Sequence, residues 1–256
     1  MEQIKVIKVG GKILEEETSL LELLDNFAAI EGKKALVHGG GRLATTIGEK
    51  LGIESKYVDG RRITDAETLQ VVTMVYGGLA NKTVVAQLQA RDCNALGLTG
   101  ADMNVILAEK RPVKTIDYGF VGDVKSVDGK RLSSLINLDI VPVMAPLTHD
   151  KKGNILNTNA DTIAAETAKG LSQFYDVSLI YCFEKAGVLM DEHDDDSVIP
   201  HITPESYEQL KADKIIHSGM IPKLDNAFDA ISQGVKKVII TNVKNINTDI
   251  GSIITQ

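Results

Sequence analysis

The segment Ile4-Lys5-Val6-Ile7-Lys8-Val9-Gly10-Gly11-Lys12 indicates the fold class, because a β-branched run leads directly into a glycine pair. Alternating apolar residues at 4–9 predict a β-strand, and the two glycines end it. A helix is predicted at 19–30. A second strand is predicted at Ala35–His38, followed at once by Gly39-Gly40-Gly41. Strand and helix therefore alternate from the first residues.

The same alternation continues along the chain. Further strands are predicted at 95–99, 140–145, 177–181 and 237–241, and further helices at 43–51, 161–170, 205–212 and 224–233. A long helix runs to about residue 91 from a predicted capping box, Thr64-Asp65-Ala66-Glu67, in which Thr64 is the N-cap. Two hairpins are predicted at 105–127 and 148–156. This order favours an α/β fold, a three-layer α-β-α sandwich with a mostly parallel sheet.

Composition excludes several classes of function. The formal net charge of −7 disfavours binding to nucleic acid or to an anionic membrane, because both need a basic surface. Cys93 and Cys182 are the two cysteines, too few for a disulfide scaffold. No apolar run approaches the ~20 residues that span a bilayer, and no signal peptide precedes the first strand. We therefore expect a cytoplasmic protein.

Glycine clusters follow both of the first two predicted strands. In an open α/β sheet, ligands bind beyond the carboxyl ends of the strands. Glycine lets the backbone approach a phosphate, and the N-terminus of a following helix adds partial positive charge. Gly10-Gly11 and Gly39-Gly40-Gly41 are thus candidates for phosphate contacts, although they name no reaction.

A dinucleotide-binding fingerprint is the rival interpretation. Gly39-Gly40-Gly41-Arg42-Leu43-Ala44 fits G-x-G-x-x-[GA], and Asp59 follows at about the required distance. Lys8 argues against a dehydrogenase, because a lysine just before the first glycine pair is not part of that pattern, whereas phosphoryl transfer can use it. The chain also lacks G-x-x-x-x-G-K-[ST], so a P-loop kinase is excluded.

Several motifs resemble the acetylglutamate kinases, a family with the amino acid kinase fold. They are Ile7-Lys8-Val9-Gly10-Gly11, His38-Gly39-Gly40-Gly41, Gly60-Arg61-Arg62-Ile63-Thr64, Asn81-Lys82, Leu156-Asn157-Thr158-Asn159-Ala160-Asp161 and Ser218-Gly219-Met220-Ile221-Pro222-Lys223. The resemblance extends from Ile4 to the C-terminal residues, and the N-x-N-A-D and G-M-I-x-K segments are its most specific parts.

The resemblance implies ATP-dependent phosphorylation of the side-chain carboxylate of N-acetylglutamate, a step of arginine biosynthesis. Lys8 and Lys223 would contact the transferring phosphoryl group, and Asp161 would hold both lysines. The implied substrate contacts are Gly40, Gly41, Arg62, Asn157 and Asn159, with Arg62 on the α-carboxylate. The implied nucleotide contacts are Gly10, Gly11, Glu184, Gly187, Leu189, Ile215 and His217.

The resemblance also implies one amino acid kinase domain over 1–256. An N-terminal lobe to about residue 170 would bind the acylglutamate, and residues from about 171 would bind ATP. Mg²⁺ would come with the nucleotide, with no metal site built from side chains. A carboxylate acceptor is already ionised at neutral pH, so catalysis needs no general base and no covalent intermediate. Positioning and fixed positive charge do the work.

Three features depart from the family pattern. Phe183-Glu184-Lys185-Ala186-Gly187-Val188 stands where many relatives carry Thr/Ser-Asp-Val-x-Gly-Val. Arg61 replaces an apolar residue, and we hypothesise that it pairs with a second carboxylate on the acyl group, as N-succinylglutamate would supply. The alternative is that Arg61 points to solvent. The chain also starts at its first strand, which predicts a homodimer without strong arginine inhibition.

Other functions stay open at this point. The chain could carry another activity of the amino acid kinase family, or could be a sensor that binds a nucleotide or an amino acid without catalysis. Both lysines and Asp161 argue against a sensor, which would not need two cations around a transferring phosphate.

Overall fold

The fold is built around an open β-sheet with helices packed on it. A computed structural model describes residues 1–58, 60–216 and 220–256. The strands are β1 Gln3–Val9, β2 Lys33–His38, β3 Lys56–Val58, β4 Arg61–Ile63, β5 Ala95–Leu98, β6 Ile106–Lys110, β7 Gly122–Val127, β8 Val141–Met144, β9 Leu147–His149, β10 Ile155–Asn157, β11 Asp176–Phe183, β12 His201–Ile202, β13 Lys237–Asn242 and β14 Ser252–Ile254.

The helices connect these strands and cover them. They are α1 Gly11–Glu15, α2 Glu17–Ala28, α3 Gly41–Lys50, α4 Ala66–Val72, α5 Asn81–Gln89, α6 Gly129–Ile136, α7 Ala160–Leu171, α8 Pro204–Ala212 and α9 Ile221–Ser232. None of the described helices combines the length and the apolar composition needed to cross a membrane.

The main sheet has eight strands in the order β12-β14-β13-β11-β1-β2-β8-β5. Its neighbours pair in parallel except β13 and β14, which are antiparallel. The predicted α/β fold with a mostly parallel sheet is confirmed. Because β1 and β2 are adjacent and parallel, their carboxyl ends and the glycines that follow them meet at one edge.

Two apolar cores lie on opposite faces of this sheet. One contains residues of α6, α7 and α9 packed on β1, β2, β11 and β13, including Ala164, Ala168 and Leu224. The other contains Leu23, Phe27 and Leu88 from α2 and α5. Helices therefore cover both faces, as the three-layer prediction requires.

A second sheet lies at the carboxyl end of the first. It has the order β10-β9-β6-β7, and both predicted hairpins are in it. The short ribbon β3–β4 and helix α6 were not predicted. The ribbon strands have three residues each and are rich in lysine and arginine, so they lack the apolar alternation that marks a strand.

The long helix that begins after β4 differs from its prediction at its start and in its middle. The N-cap is Asp65, whose carboxylate accepts the Thr68 amide, and the predicted Thr64 N-cap is wrong. The Thr64 hydroxyl donates instead to the Arg62 carbonyl. Residues 73–80, which contain Gly77-Gly78, form a π-helical stretch between α4 and α5.

Candidate active site

The two glycine loops touch each other at the end of β1 and β2. A Cβ on Gly39 would lie 3.4 Å from the Gly11 amide nitrogen, and a Cβ on Gly11 would lie 3.7 Å from that of Gly40. Gly40 has φ +143°, a conformation that favours glycine, and a Cβ there would come within 3.1 Å of the Tyr76 ring. The two loops therefore pack closely on each other, and only at Gly41 among these glycines does no atom lie within 4 Å of where a Cβ would be.

Beside these loops, two lysines meet one carboxylate. Lys8 Nζ at the end of β1 is 2.8 Å from Asp161 Oδ1, and Lys223 Nζ in the first turn of α9 is 2.8 Å from Oδ2. Lys223 donates a hydrogen bond to Oδ2. Oδ1 accepts no well-aligned hydrogen bond, so its contact with Lys8 is an ion pair. The structure therefore brings together the three residues predicted to surround the phosphoryl group.

The two cations decide the ionisation of Asp161. Burial alone would raise the pKa of this carboxyl, but the charges of Lys8 and Lys223 and the hydrogen bond from Lys223 lower it to about 2. Asp161 is thus a permanent anion at neutral pH. With two ammonium groups on one carboxylate, the cluster has one excess positive charge to offer an anionic ligand.

Asn159 caps the helix that carries Asp161. Its side-chain oxygen accepts the amides of Asp161 and Thr162, so Asn159 is the N-cap of α7. The Asp161 carboxylate consequently has no capping role and is available to the lysines. Asn159 is exposed, and its side-chain oxygen is engaged by these two amides; its predicted substrate contact stays a prediction.

Arg62 lies beneath the second glycine loop. Although it is only 7% exposed, its guanidinium has several partners. It donates to the Gly41 carbonyl at 2.6 Å, to the Thr45 hydroxyl at 2.9 Å and to the Ser55 hydroxyl, and it stacks 4.8 Å from the Tyr57 ring centroid. Arg62 is therefore held close to the loop even without a ligand.

Asn157 links the ribbon to the second sheet. Its amide nitrogen donates to the Thr64 hydroxyl at 2.9 Å, and its backbone nitrogen donates to the Phe120 carbonyl. Arg61, by contrast, is exposed, because successive residues of β4 point to opposite faces of the ribbon and Arg62 is the buried one.

His38 is buried at the end of β2 and is a structural group. Burial lowers its pKa to about 4, so the ring is neutral at pH 7. Nε2 is 3.0 Å from the Asn81 amide nitrogen, and Nδ1 is 2.7 Å from the Gly39 carbonyl oxygen. With the amide donating to Nε2, Nδ1–H donates to that carbonyl and helps to fix the glycine loop.

The predicted nucleotide contacts are spread along the carboxyl ends of β1 and β11. Glu184 is about half exposed and lies 3.4 Å from Lys12 Nζ, away from the lysine pair. Gly187 is buried, and a Cβ there would come within 2.6 Å of Val198 and 2.7 Å of the Ser252 hydroxyl. Close packing on β14 is thus sufficient to explain this glycine.

The remaining predicted nucleotide residues differ in what they can offer. The Gly10 amide donates to the Cys182 carbonyl at 3.2 Å, so it is not free for a phosphate. Leu189 and Ile215 are partly buried. His217 and the Asp59 of the rival fingerprint lie outside the described residues.

Two cavities open beyond the ends of β11 and β13. The first, of about 310 Å³, is lined by Ala186, Val198, Pro200, His201, Asp249, Ile250, Gly251 and Ile253. The second, of about 270 Å³, is lined by Lys12, Ile13, Glu16, Ser19, Glu22, Phe183, Glu184, Asn242, Val243 and Lys244. Each includes part of the segment that follows β11.

Phe183 is the site residue that sequence reasoning missed. Its ring centroid is 5.0 Å from Lys8 Nζ and 4.4 Å from Lys223 Nζ. An aromatic residue at the end of a buried strand is usually part of the core, so its residue type did not indicate a role in the site. Its place in a segment that departs from the family pattern was the available hint.

Comparison with known proteins finds relatives over the whole chain. The sequence profile of the amino acid kinase family matches residues 3–242. An acetylglutamate kinase from Bacteroides thetaiotaomicron is 67% identical, over 98% of this chain and 98% of that protein. Another, from Cytophaga hutchinsonii, is 56% identical over 96% and 94%. A crystal structure from Streptococcus mutans UA159 has a TM-score of 0.81 at 27% identity, with 98% of each chain covered.

Replacing Asp161 by Asn should destabilise the fold in a pH-dependent way. At pH 7 the variant leaves the buried Lys8 ammonium and the partly buried Lys223 ammonium without an anion, and we expect a loss of about 3 kcal/mol in the free energy of unfolding. The folded pKa of Asp161, about 2, is below its ordinary value of 3.8. Its contribution is therefore full above about pH 4 and is lost as the pH falls towards 2.

Urea unfolding of both proteins between pH 7 and pH 3 measures this difference. Asp123→Asn is the matched control, because Asp123 pairs with Arg111 at the surface and should contribute less than about 1 kcal/mol. A gap between wild type and Asp161→Asn that stays constant down to pH 3 would contradict the assignment.

Proposed function

The chain belongs to the acetylglutamate kinases of the amino acid kinase family, and from that premise we propose that Lys8, Lys223 and Asp161 are its catalytic centre. The reaction is ATP-dependent phosphorylation of N-acetylglutamate, a step of arginine biosynthesis. The observation that carries the proposal is the convergence of two ammonium groups, from opposite ends of the chain, on one carboxylate.

The chemistry of the acceptor explains why the centre has cations and no base. An oxygen of the ionised γ-carboxylate attacks the γ-phosphorus of ATP, the bond to the β–γ bridging oxygen breaks, and ADP leaves. Negative charge on the phosphoryl oxygens must be balanced while two anions approach each other. Lys8 and Lys223 supply this charge, and Asp161 keeps both ammonium groups at one place before the nucleotide binds.

The acylglutamate would bind to the loop Gly39–Gly41 and to the buried Arg62. A guanidinium can hold a carboxylate with two parallel hydrogen bonds, so Arg62 suits the α-carboxylate. The substrate would replace part of the contacts that Arg62 makes with Gly41, Thr45 and Ser55. Asn157 would bond the amino acid, and the backbone of Gly40 would lie against the migrating phosphate.

The nucleotide is assigned to the C-terminal lobe, from about residue 171. Glu184, Gly187, Leu189 and Ile215 lie there, and Gly11 offers its amide from the other lobe. Mg²⁺ would come with the bound nucleotide and would neutralise part of the phosphate charge. Among the described residues no group of three acidic, histidine or cysteine side chains is placed to hold a metal ion.

Hydroxylamine trapping of the acyl phosphate tests this centre. Wild-type protein with ATP, Mg²⁺ and N-acetylglutamate should yield hydroxamate, and Lys8→Met or Lys223→Met should lower kcat by roughly 10²–10³, as for loss of one oxyanion stabiliser. Lys5→Met is the control, because Lys5 precedes Lys8 on the same strand but donates to the exposed Asn247 carbonyl. Its kcat should match wild type. Full activity in either site variant would remove that lysine from the centre.

Arg61 tests the choice of acyl group. Its exposure on the face of the ribbon opposite Arg62 predicts that Arg61→Leu leaves the ratio of kcat/KM for N-acetyl- and N-succinylglutamate unchanged. Both substrates are compared in both proteins by the hydroxamate assay. A selective loss of N-succinylglutamate turnover in the variant would instead assign Arg61 to the acyl pocket.

A homodimer is the assembly that we propose. Strand β5 is at the edge of the main sheet with Leu96 38% exposed, and the neighbouring helical segment exposes Met74 and Leu79 by about half. Exposed apolar side chains at and beside an edge strand are suited to contact with a second copy. Multi-angle light scattering should give twice the 27.7 kDa chain mass, and Leu79→Glu with Leu96→Glu should give the monomer. A monomeric or hexameric wild type would contradict the proposal.

A further inference from the structure

One aromatic ring contacts both ammonium groups of the proposed catalytic centre. Phe183 is the last residue of β11, within 5.0 Å of Lys8 Nζ and 4.4 Å of Lys223 Nζ. An ammonium within about 6 Å of an aromatic centroid is attracted by the negative face of the ring. The ring is therefore a second site of attraction, besides Asp161, that the two cations share.

The sheet register puts the ring there. Lys8 is paired with Tyr181 in the parallel β1–β11 ladder, so their side chains leave the sheet on the same face. Phe183 follows two residues later and returns to that face. Its ring stacks on that of Tyr181, with centroids 6.2 Å apart and planes 12° apart. Tyr181 is fully buried, so the orientation of Phe183 is fixed from below.

Asp161 alone leaves the lysine pair weakly restrained. The two ammonium groups repel each other, each contacts a different oxygen, and Lys8 has no well-aligned hydrogen bond to its oxygen. A second carboxylate would restrain them but would take up their N–H donors and repel an incoming phosphate. A phenyl face attracts the cations with no net negative charge, and it leaves the remaining donors for phosphoryl oxygens.

We propose that Phe183 is a positioning residue that holds Lys8 and Lys223 together for phosphoryl transfer. This inference rests on the proposed function, because it assigns Phe183 to the same centre. Phe183 acts through the lysines and makes no contact with the substrate carboxylate. The competing explanation is packing, since Phe183 also lies against the core on this face of the sheet.

Stepwise fluorination separates these two explanations. Phe183 is replaced by mono-, di- and trifluorophenylalanine, which weaken the negative face in steps while the ring size changes little. We expect log kcat for hydroxamate formation to fall in proportion to the number of fluorines. Phe183→Leu, which keeps an apolar side chain without a ring, should lower kcat about 5- to 30-fold. The KM for N-acetylglutamate should stay unchanged, because Arg62 binds that substrate elsewhere.

Phe27 provides the matched control. Its ring also faces a lysine, with Lys34 Nζ 5.3 Å from the centroid, but Phe27 belongs to α2 and Lys34 to the start of β2, outside the proposed site. The same fluorinated series at Phe27 should leave kcat unchanged. The urea midpoint of each fluorinated Phe183 variant is measured in parallel and should stay close to that of wild type.

The outcomes distinguish the inference from the function beneath it. Wild-type protein that forms no hydroxamate would overturn the proposed function and this inference with it. An active wild type whose kcat is the same across the fluorinated Phe183 series would overturn the positioning role alone. A kcat that falls only together with the urea midpoint would assign Phe183 to packing and would likewise overturn that role.

Discussion

The structure depends on the attraction between one buried carboxylate and two ammonium groups. Asp161 is in the first turn of α7, Lys8 is the penultimate residue of β1 and Lys223 is in the first turn of α9, so this contact joins two helices to the central strand on one face of the sheet. Removing ions from water is costly unless they are paired. The aspartate therefore holds both lysines at the site, and the charges of the two lysines keep the buried aspartate ionised. The cluster keeps a net positive charge, which is what an anionic phosphate requires.

Beside that cluster, the site is formed by the backbone of the two glycine loops. The glycines after β1 and β2 touch, and Gly40 adopts a conformation that side chains disfavour, so the two loops pack backbone against backbone. The neutral His38 ring and Asn81 fix this loop from within the core. Cations on one side and closely packed glycine loops on the other suit a reaction that is accelerated by positioning and electrostatics.

Local patterns were sufficient for most of the fold and for little of the site. Strand alternation and glycine stops predicted β1 and β2, because these signals lie within a few residues. Thr64 and Asp65 are both good N-caps, so sequence alone placed the helix start one residue too early. The meeting of Lys8 with Lys223 was implied by family resemblance, since no local pattern records which distant residues touch. The contact of Phe183 with both lysines depends on the pairing register of β1 and β11, which only the three-dimensional structure shows.

A crystal structure with ADP, Mg²⁺, aluminium fluoride and N-acetylglutamate tests the central claim most directly, because the fluoride takes the place of the phosphoryl group in flight. The account predicts both Lys8 Nζ and Lys223 Nζ within hydrogen-bond distance, about 3 Å, of the fluoride ligands, with Asp161 still bound to both amines. Aluminium fluoride in the site with either lysine turned away from it, or with Asp161 detached from the pair, would contradict the account.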